Sequence, residues 1–500
     1  MLAAHLTQLD DGLPPGMAEA LTVVDGVDDT LTRGLARPGE PDAAAWAALA
    51  AAVGGTPLAE PAAEAVRAAT TGALTDAHLA VLAGARAALL GAAHDALLNR
   101  LDEALHRSRS PWAAAPPDSA AGSRSDAAPS GSSSDTEPSG SSSDTAPSGA
   151  PPDAAPDDSP GRAGARAWLH ELALAGWRGA DHELLSGVAA PVEAALAVPA
   201  LRRLAVLLDG LAAELRTGTA ADPARVPARR WADLWARAVL LAAGAADETA
   251  PPEPVSGRLL PLGVDVHEHD TAFQAQVHAV FEPAGGGTVR LVRVSVAAAK
   301  VATIVGPAGW RLLEAYPVLL KALAERRSVT VTDMPAHGGD LRWVDERAAL
   351  GDPADPFATA RVLLADATAA ATPPLQRHPA AIAEPVLAEG RVTRDGDGAL
   401  LVDLGGRAIP LATDRLPAAG PLTPALLATT TACLGLLRWD DGRWLLQPLA
   451  VRATVKKQTV EAHNGDWACG VTDAKVAKAE ARAGDAVAVL RERAGRLLRR

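Results

Sequence analysis

Apolar residues recur every three or four positions through the first hundred residues, and every second position only after residue 250. In "AHLAVLAGARAALLGAAHDALLNRLDEALHR" Leu79, Leu82, Ala85, Leu89, Ala93, Leu97 and Leu101 fall on one stripe, which predicts a long helix with a single buried face. Thr75 and Asp76 stand where its first free N–H groups need an acceptor, and Pro14 and Pro15 precede a second helical stretch, "GMAEALTVVDGVDDTLTRGL". Residues 1–110 are therefore expected to form a helical bundle. Helical spacing returns over 166–249, with Leu201, Leu204, Leu207, Leu208, Leu211 and Leu215 along one helix and Trp231, Leu234, Trp235 and Val239 along another. Trp231 and Trp235 lie one turn apart and are read as core residues rather than as a stacking platform.

Both periods are lost over 111–165. This stretch is Ser, Pro, Gly, Ala and Asp, with a nine-residue repeat starting at Pro129, Pro138 and Pro147. Too little apolar area is available there to offset chain entropy, which predicts a disordered linker.

The alternating pattern of "RLLPLGVDVHEH", "TAFQAQVHAVFE" and "TVRLVRVSV" predicts three strands, the last two joined through the glycines of "PAGGG". A helix over about 308–327 should kink or divide at Pro317, and short strands "SVTVTDM" and "DLRWVDE" follow. Residues 250–350 thus read as an α+β domain with an antiparallel sheet. After a helix at "DPFATARVLLADATAAA", the turns "DGDG", "GG" and "DG" separate further alternating runs, so 351–455 is expected to be a small β-barrel or sandwich-like module. Residues 456–500 are expected to end in a helix capped by Thr472 or Asp473, with Ala483, Val487, Leu490, Ala494 and Leu497 on its apolar side. The fold class is multidomain, α plus α+β.

Composition narrows the function. Five hundred residues suggest about three domains. A net charge of −13 disfavours general nucleic-acid binding, although Arg491, Arg493, Arg496, Arg499 and Arg500 cluster at the end of the terminal helix. Basic residues are mostly Arg, the lysines being Lys300, Lys321, Lys456, Lys457, Lys475 and Lys478, a bias of GC-rich, actinobacterial genomes. Only Cys433 and Cys469 occur, which excludes a disulfide framework or a four-cysteine zinc site. No basic leader precedes an apolar core, and no stretch reaches the ~18 uncharged apolar residues of a membrane span. A cytoplasmic protein without membrane contact is expected.

The strongest cluster of potential ligands is "GVDVHEHDTAFQAQVHAVF", residues 263–281. On a strand Asp265, His267 and His269 share one face, opposite Leu262, Val264 and Val266. A tight turn near Asp270 would set His267 against Gln274, Asp265 against Gln276, and His278 near Gly263. Imidazole and carboxylate suit zinc or iron when about three converge, so Asp265, His267 and His269 are the candidate metal ligands, with His278 as a further one. The competing reading is the polar face of a two-layer sheet. Around Cys469, His463 and Asp466 supply the residue types of a thiol nucleophile, its base and an orienting group, whereas Cys433 lies in an apolar strand and reads as a buried thiol. "IVGPAGW" and "PAGGGTV" lack the lysine and hydroxyl of a P-loop and the spacing of a dinucleotide fingerprint, and no nucleophile elbow occurs. No bound cofactor is expected.

The order "PVLAEGRVTRDGDGALLVDLGGRAIPLA" followed by "ACLGLLRWDDGRWLLQPLAV" resembles the tail of bacterial SWIM zinc-finger family proteins over about 70 residues. That family's C-x-C and C-x-H zinc cluster is missing here, so zinc and nucleic-acid binding do not carry over. The resemblance implies protein partners of the MoxR-type AAA+ and von Willebrand A kinds. Together these readings lead to a non-enzymatic interaction or scaffold protein, the alternatives being a metal-dependent enzyme using His267 and His269, or an accessory nucleic-acid binder acting through the basic C-terminal helix.

Overall fold

The chain is a multidomain α+β protein. The computed structural model describes residues 9, 13–112, 159–221, 227–245, 252–268, 272–301, 303–405, 407–440, 442–483, 487–489 and 492. His269, nearly all of the repeat-bearing linker segment and the C-terminal arginines lie outside the described residues.

Among the described residues nine α-helices come first: α1 (Met17–Arg33), α2 (Glu40–Ala52), α3 (Ala59–Thr71), α4 (Asp76–Leu105), α5 (Pro160–Ala175), α6 (His182–Ser186), α7 (Ala189–Leu196), α8 (Arg202–Ala221) and α9 (Ala228–Ala242). Thr75 caps α4, its hydroxyl accepting from the backbone N–H of His78, and α5 starts at Pro160 in the first turn, where a missing N–H costs nothing. The helical stretches before and after the linker segment are not separate units. Leu31, Trp46, Leu82, Trp168, Trp177, Leu208, Trp231 and Trp235 belong to one core. The residues following α1 and α5 each donate to the last turn of the other helix, Leu35 N–H to Ala173 O at 2.9 Å and Trp177 N–H to Leu31 O at 3.2 Å. Arg86 reaches from α4 to Asp28 on α1 with bonds of 2.6 and 2.8 Å. Trp231 and Trp235 are buried, and the indole N–H of Trp235 donates to Leu169 O.

The first sheet closes on itself. β1 (Glu253–Glu268) pairs with both β2 (Ala272–Pro283) and β4 (Arg327–His337), β2 with β3 (Arg290–Ala299), and the short β5 (Asp340–Leu341) runs parallel to β3 and antiparallel to β4. The strand order around the barrel is 1-2-3-5-4, and α10 (Pro317–Ala324) lies between β3 and β4. This is the connectivity of the five-stranded Greek-key barrels called OB folds. The helix expected over 308–327 is divided at Pro317, which opens α10 after a 3₁₀ segment at Gly306–Leu313. Strand β6 (Ala348–Pro353) extends the sheet beside β4.

After α11 (Pro356–Leu363) the same connectivity recurs. β7 (Ala383–Glu389) and β8 (Arg391–Arg394) are two arms of one bent strand, separated only by Gly390. β8 pairs with β9 (Leu400–Asp403), β9 with β10 (Ala408–Pro410), β7 with β11 (Thr430–Asp440), and β11 with β12 (Arg443–Val455). A parallel bridge between Leu411 and Leu446 closes the ring, and α12 (Pro424–Leu427) occupies the position of α10. In each barrel a glycine allows the first strand to run close to its neighbour. A Cβ on Gly257 would lie 2.2 Å from Glu282 O, and one on Gly390 2.0 Å from Asp403 O.

The structure differs from two expectations. Residues 456–472 form no α-helix: Lys456 and Lys457 take φ of 50° and 67°, the two-residue turn that reverses a hairpin, and β13 (Gln458–His463) and a 3₁₀ segment at Asn464–Trp467 follow. Helix α13 (Ala474–Ala483) then begins beyond Asp473, whose carboxylate accepts from the N–H groups of Lys475 and Val476. Second, the pairing of β1 with β2 shifts between Pro261 and Gly263. That bulge turns Leu262 away from Val264 and Val266, so the three do not share a core.

The barrels pack outer face to outer face. Leu260, Leu262, Val280 and Leu291 of the first meet Leu387, Ala432, Leu434 and Ala450 of the second, with Phe357 of α11 between them. Helix α4 joins both parts: Leu79 to Ala85 pack in the helical core, while Leu97, Leu98, Leu101 and Ala104 pack in the core of the second barrel. Among the described residues α4 has the length and apolar character of a membrane span, but protein covers its apolar face on both halves.

Candidate functional site

The alternating strand β1 carries Asp265 and His267 on its outer face, and that face meets the second barrel instead of solvent. Register places His267 opposite Gln274, Asp265 opposite Gln276 and His278 opposite Gly263, as a tight turn near Asp270 requires. Asp265 is 1% exposed. Its Oδ1 accepts from Gln447 Nε2 at 2.7 Å, and its Oδ2 from Arg438 Nη2 at 2.8 Å. His267 Nε2 lies 3.0 Å from the same Oδ2. Arg438 Nε in turn donates to Gln447 Oε1. Burial pushes the Asp265 carboxyl upward, but the hydrogen bond and charge of His267, the Arg438 guanidinium and Gln447 outweigh it and hold Asp265 below the ordinary carboxylate range.

Of the expected metal ligands, Asp265 and His267 come together here, and His269 lies outside the described residues. Both oxygens of Asp265 are already occupied by protein donors, and among the described residues no three His, Cys, Asp or Glu side chains converge as a metal ion needs. His278 is buried and its Nε2 has no hydrogen-bond partner. Burial, with help from Arg293 and Arg438, lowers its pKa to about 3, so it is a neutral imidazole.

Sequence pattern missed the residues that complete the cluster. Arg438 and Gln447 come from the second barrel, 173 and 182 positions beyond Asp265. The available signal was a lone Arg within "ACLGLLRWD" and a lone Gln within "RWLLQPLAV": a buried polar residue on an apolar strand needs a partner.

Beside the cluster, at the margin of the two barrels, opens a cleft of about 640 Å³. The end of β1, Lys300, residues 305–307 and residues 414–419 line it. Lys300 is buried, donating to Ile304 O at 2.7 Å, with Glu268 at 3.5 Å. Glu268 also accepts the N–H of Gly306. Arg415 pairs with Asp440 at 2.5 Å.

The neighbourhood of Cys469 is built differently. His463 is buried with its ring edge-on to Phe357, and burial lowers its pKa to about 3, with Arg326 and Arg452 contributing. Asp466 accepts from the backbone N–H of His463 and pairs with Arg326. Burial and the nearby Glu325 raise the Cys469 thiol, whereas a nucleophilic cysteine needs the opposite shift. Cys433 is enclosed in the second barrel, and burial pushes its thiol up to about 12.

The outer face of β2 and β3, which serves oligonucleotides in other barrels of this connectivity, presents Gln274, Gln276, Ser295 and Arg293. Its one aromatic ring, His278, is buried. Comparison with family models, curated proteins and solved structures finds no match for the chain.

Proposed function

We propose that this chain is a non-enzymatic scaffold that presents several surfaces from one connected body to protein partners in a cytoplasmic bacterial assembly. The observation that supports this reading most is helix α4, which contributes one half to the helical core and the other to the core of the second barrel. Partners bound to the two ends would be held at a fixed spacing. The buried charges at the junctions have structural roles. Arg107 and Arg109 bind Glu384 at 2.9 and 3.0 Å, and Asp265 binds Arg438 across the barrel seam. The resemblance of the C-terminal β section to SWIM zinc-finger proteins supplies the candidate partners, a MoxR-type AAA+ ATPase and a von Willebrand A protein.

The test is reconstitution. The purified chain is mixed with the MoxR-type ATPase and the von Willebrand A protein encoded in the same genome, and the mixture is resolved by size-exclusion chromatography. Co-elution of at least one of them at micromolar concentration is expected. Independent elution of all three would remove the support for those partners.

A further inference from the structure

We propose that a second cavity, between α10 of the first barrel and the helical residues 487–489, binds a small uncharged aromatic molecule that carries a hydrogen-bond acceptor. The cavity measures about 520 Å³. The 3₁₀ segment at Gly306–Leu313 and α10 contribute Trp310 and Leu320, the chain after β13 contributes Trp467 and Val471, and Val487 completes the lining. Trp310, Leu320 and Trp467 are each 6% exposed and Val487 is 3% exposed. Concave shape, this volume and aromatic walls are the features of a small-molecule site.

Charge excludes an ion. The charged side chains of the lining are Arg311 and Lys321 against Glu314 and Glu480, two of each sign, so a charged ligand would be desolvated without a net counter-charge. Hydrogen bonding then asks for an acceptor. A buried indole N–H ordinarily finds a partner, and those of Trp168, Trp231, Trp235 and Trp343 donate to Leu184 O, Glu214, Leu169 O and Asp345. Those of Trp310 and Trp467 have no acceptor among the described residues. Trp46 and Trp177 also lack one, but they are enclosed in the helical core, whereas Trp310 and Trp467 line the cavity, where an entering carbonyl can accept from them. Cys469, the exposed one of the two cysteines, lines the same cavity and is a reporter of its occupancy.

The experiment is a ligand-observed NMR titration of the full-length chain with three molecules of one planar shape: acetophenone, α-methylstyrene, which lacks the acceptor, and benzoate, which is charged. Saturable binding of acetophenone is expected, with Kd below about 1 mM. The other two should each bind about tenfold more weakly, for want of the hydrogen bond or for the cost of a buried charge. Saturating acetophenone should slow alkylation of Cys469 by iodoacetamide about threefold or more, since access governs thiol reactivity. The double variant Trp310→Phe/Trp467→Phe keeps both rings and removes both N–H groups. It should lose about tenfold in affinity for acetophenone and none for α-methylstyrene, with thermal unfolding showing whether it is folded. No saturable acetophenone binding, equal affinity for α-methylstyrene, tighter binding of benzoate, or an alkylation rate unchanged by acetophenone overturns the proposal. A folded double variant that still prefers acetophenone does so too, and if that variant fails to fold the three ligands and the alkylation of the wild type decide. None of these results depends on whether the ATPase and von Willebrand A partners bind.

Discussion

Asp265 neutralises a buried guanidinium from the other barrel. Replacing it with alanine leaves Arg438, 7% exposed, as an unpaired buried charge, which costs about 3–5 kcal/mol. Asp265→Asn retains an acceptor oxygen and should lose less. Urea denaturation of the two variants checks both the magnitude and the order, and equal stability of wild type and Asp265→Ala would show that the contact contributes nothing. His278 affects stability through pH. Its folded pKa, about 3, lies below the ordinary value of 6.5, so between those values the unfolded chain binds the extra proton. Stability from this group is complete above pH 6.5 and is lost as the pH falls toward 3, by about 1.4 kcal/mol per pH unit. The charged groups acting on it are Arg293, Asp265, Arg438 and Glu384, and Asp265, with its depressed pKa, stays ionised between pH 7 and 5. His278→Gln should therefore flatten the stability profile measured between pH 7 and 5 by about 1 kcal/mol per pH unit on average, whatever its effect at pH 7. Identical slopes in the two proteins would contradict the buried neutral imidazole.

At the scale of elements, the bend in the first strand of each barrel explains how one strand serves two neighbours. Gly390 separates β7, which pairs with β11, from β8, which pairs with β9. A methyl group there would meet the backbone at Asp403, so Gly390→Ala should destabilise the second barrel by about 1–3 kcal/mol. Hydrogen exchange should show the loss first in β8 and β9, while exchange in β1 to β3 stays unchanged. Much of this level was legible in the sequence. Alternation with glycine turns located the hairpins around "PAGGG" and "DGDG", and the short spacing between the two histidine-bearing runs gave the observed β1 partners of Gln274, Gln276 and His278. The bulge at Leu262 was not legible, since Leu260 and Leu262 before it face the second barrel while Val264 and Val266 after it face the first barrel's core, so the apolar alternation runs on unbroken across the change of face. Neither was β13, because its turn is formed by Lys456 and Lys457 in place of the asparagine or glycine that such a turn favours. The partners of Asp265 were hidden for another reason. They lie on a different barrel, and local pattern carries no information about which faces meet.

For the whole molecule, the merging of the helical stretches into one core and the passage of α4 into the second barrel make the parts thermodynamically dependent. The chain that enters the barrel core at Leu97 is the same rigid rod that leaves the helical core near Ala85. Beyond its end, Ser110 N–H bonds to Ala369 O, and Thr368 N–H to Val289 O, which stitches the helix to the first barrel as well. Breaking the rod should then uncouple the parts without emptying either core. Ala92 is exposed, between the two buried sections of α4, and proline there removes one backbone hydrogen bond and clashes with the preceding turn at a cost of about 3 kcal/mol. Calorimetry of the wild type is expected to show the bundle and the second barrel melting together. In Ala92→Pro the two should melt in separate steps, with hydrogen exchange of α1 and α9 reporting the bundle and that of β11 and β12 the barrel. A variant that melts in a single transition, shifted to lower temperature, would mean that the contacts flanking α4 couple the parts and that the continuity of the helix does not.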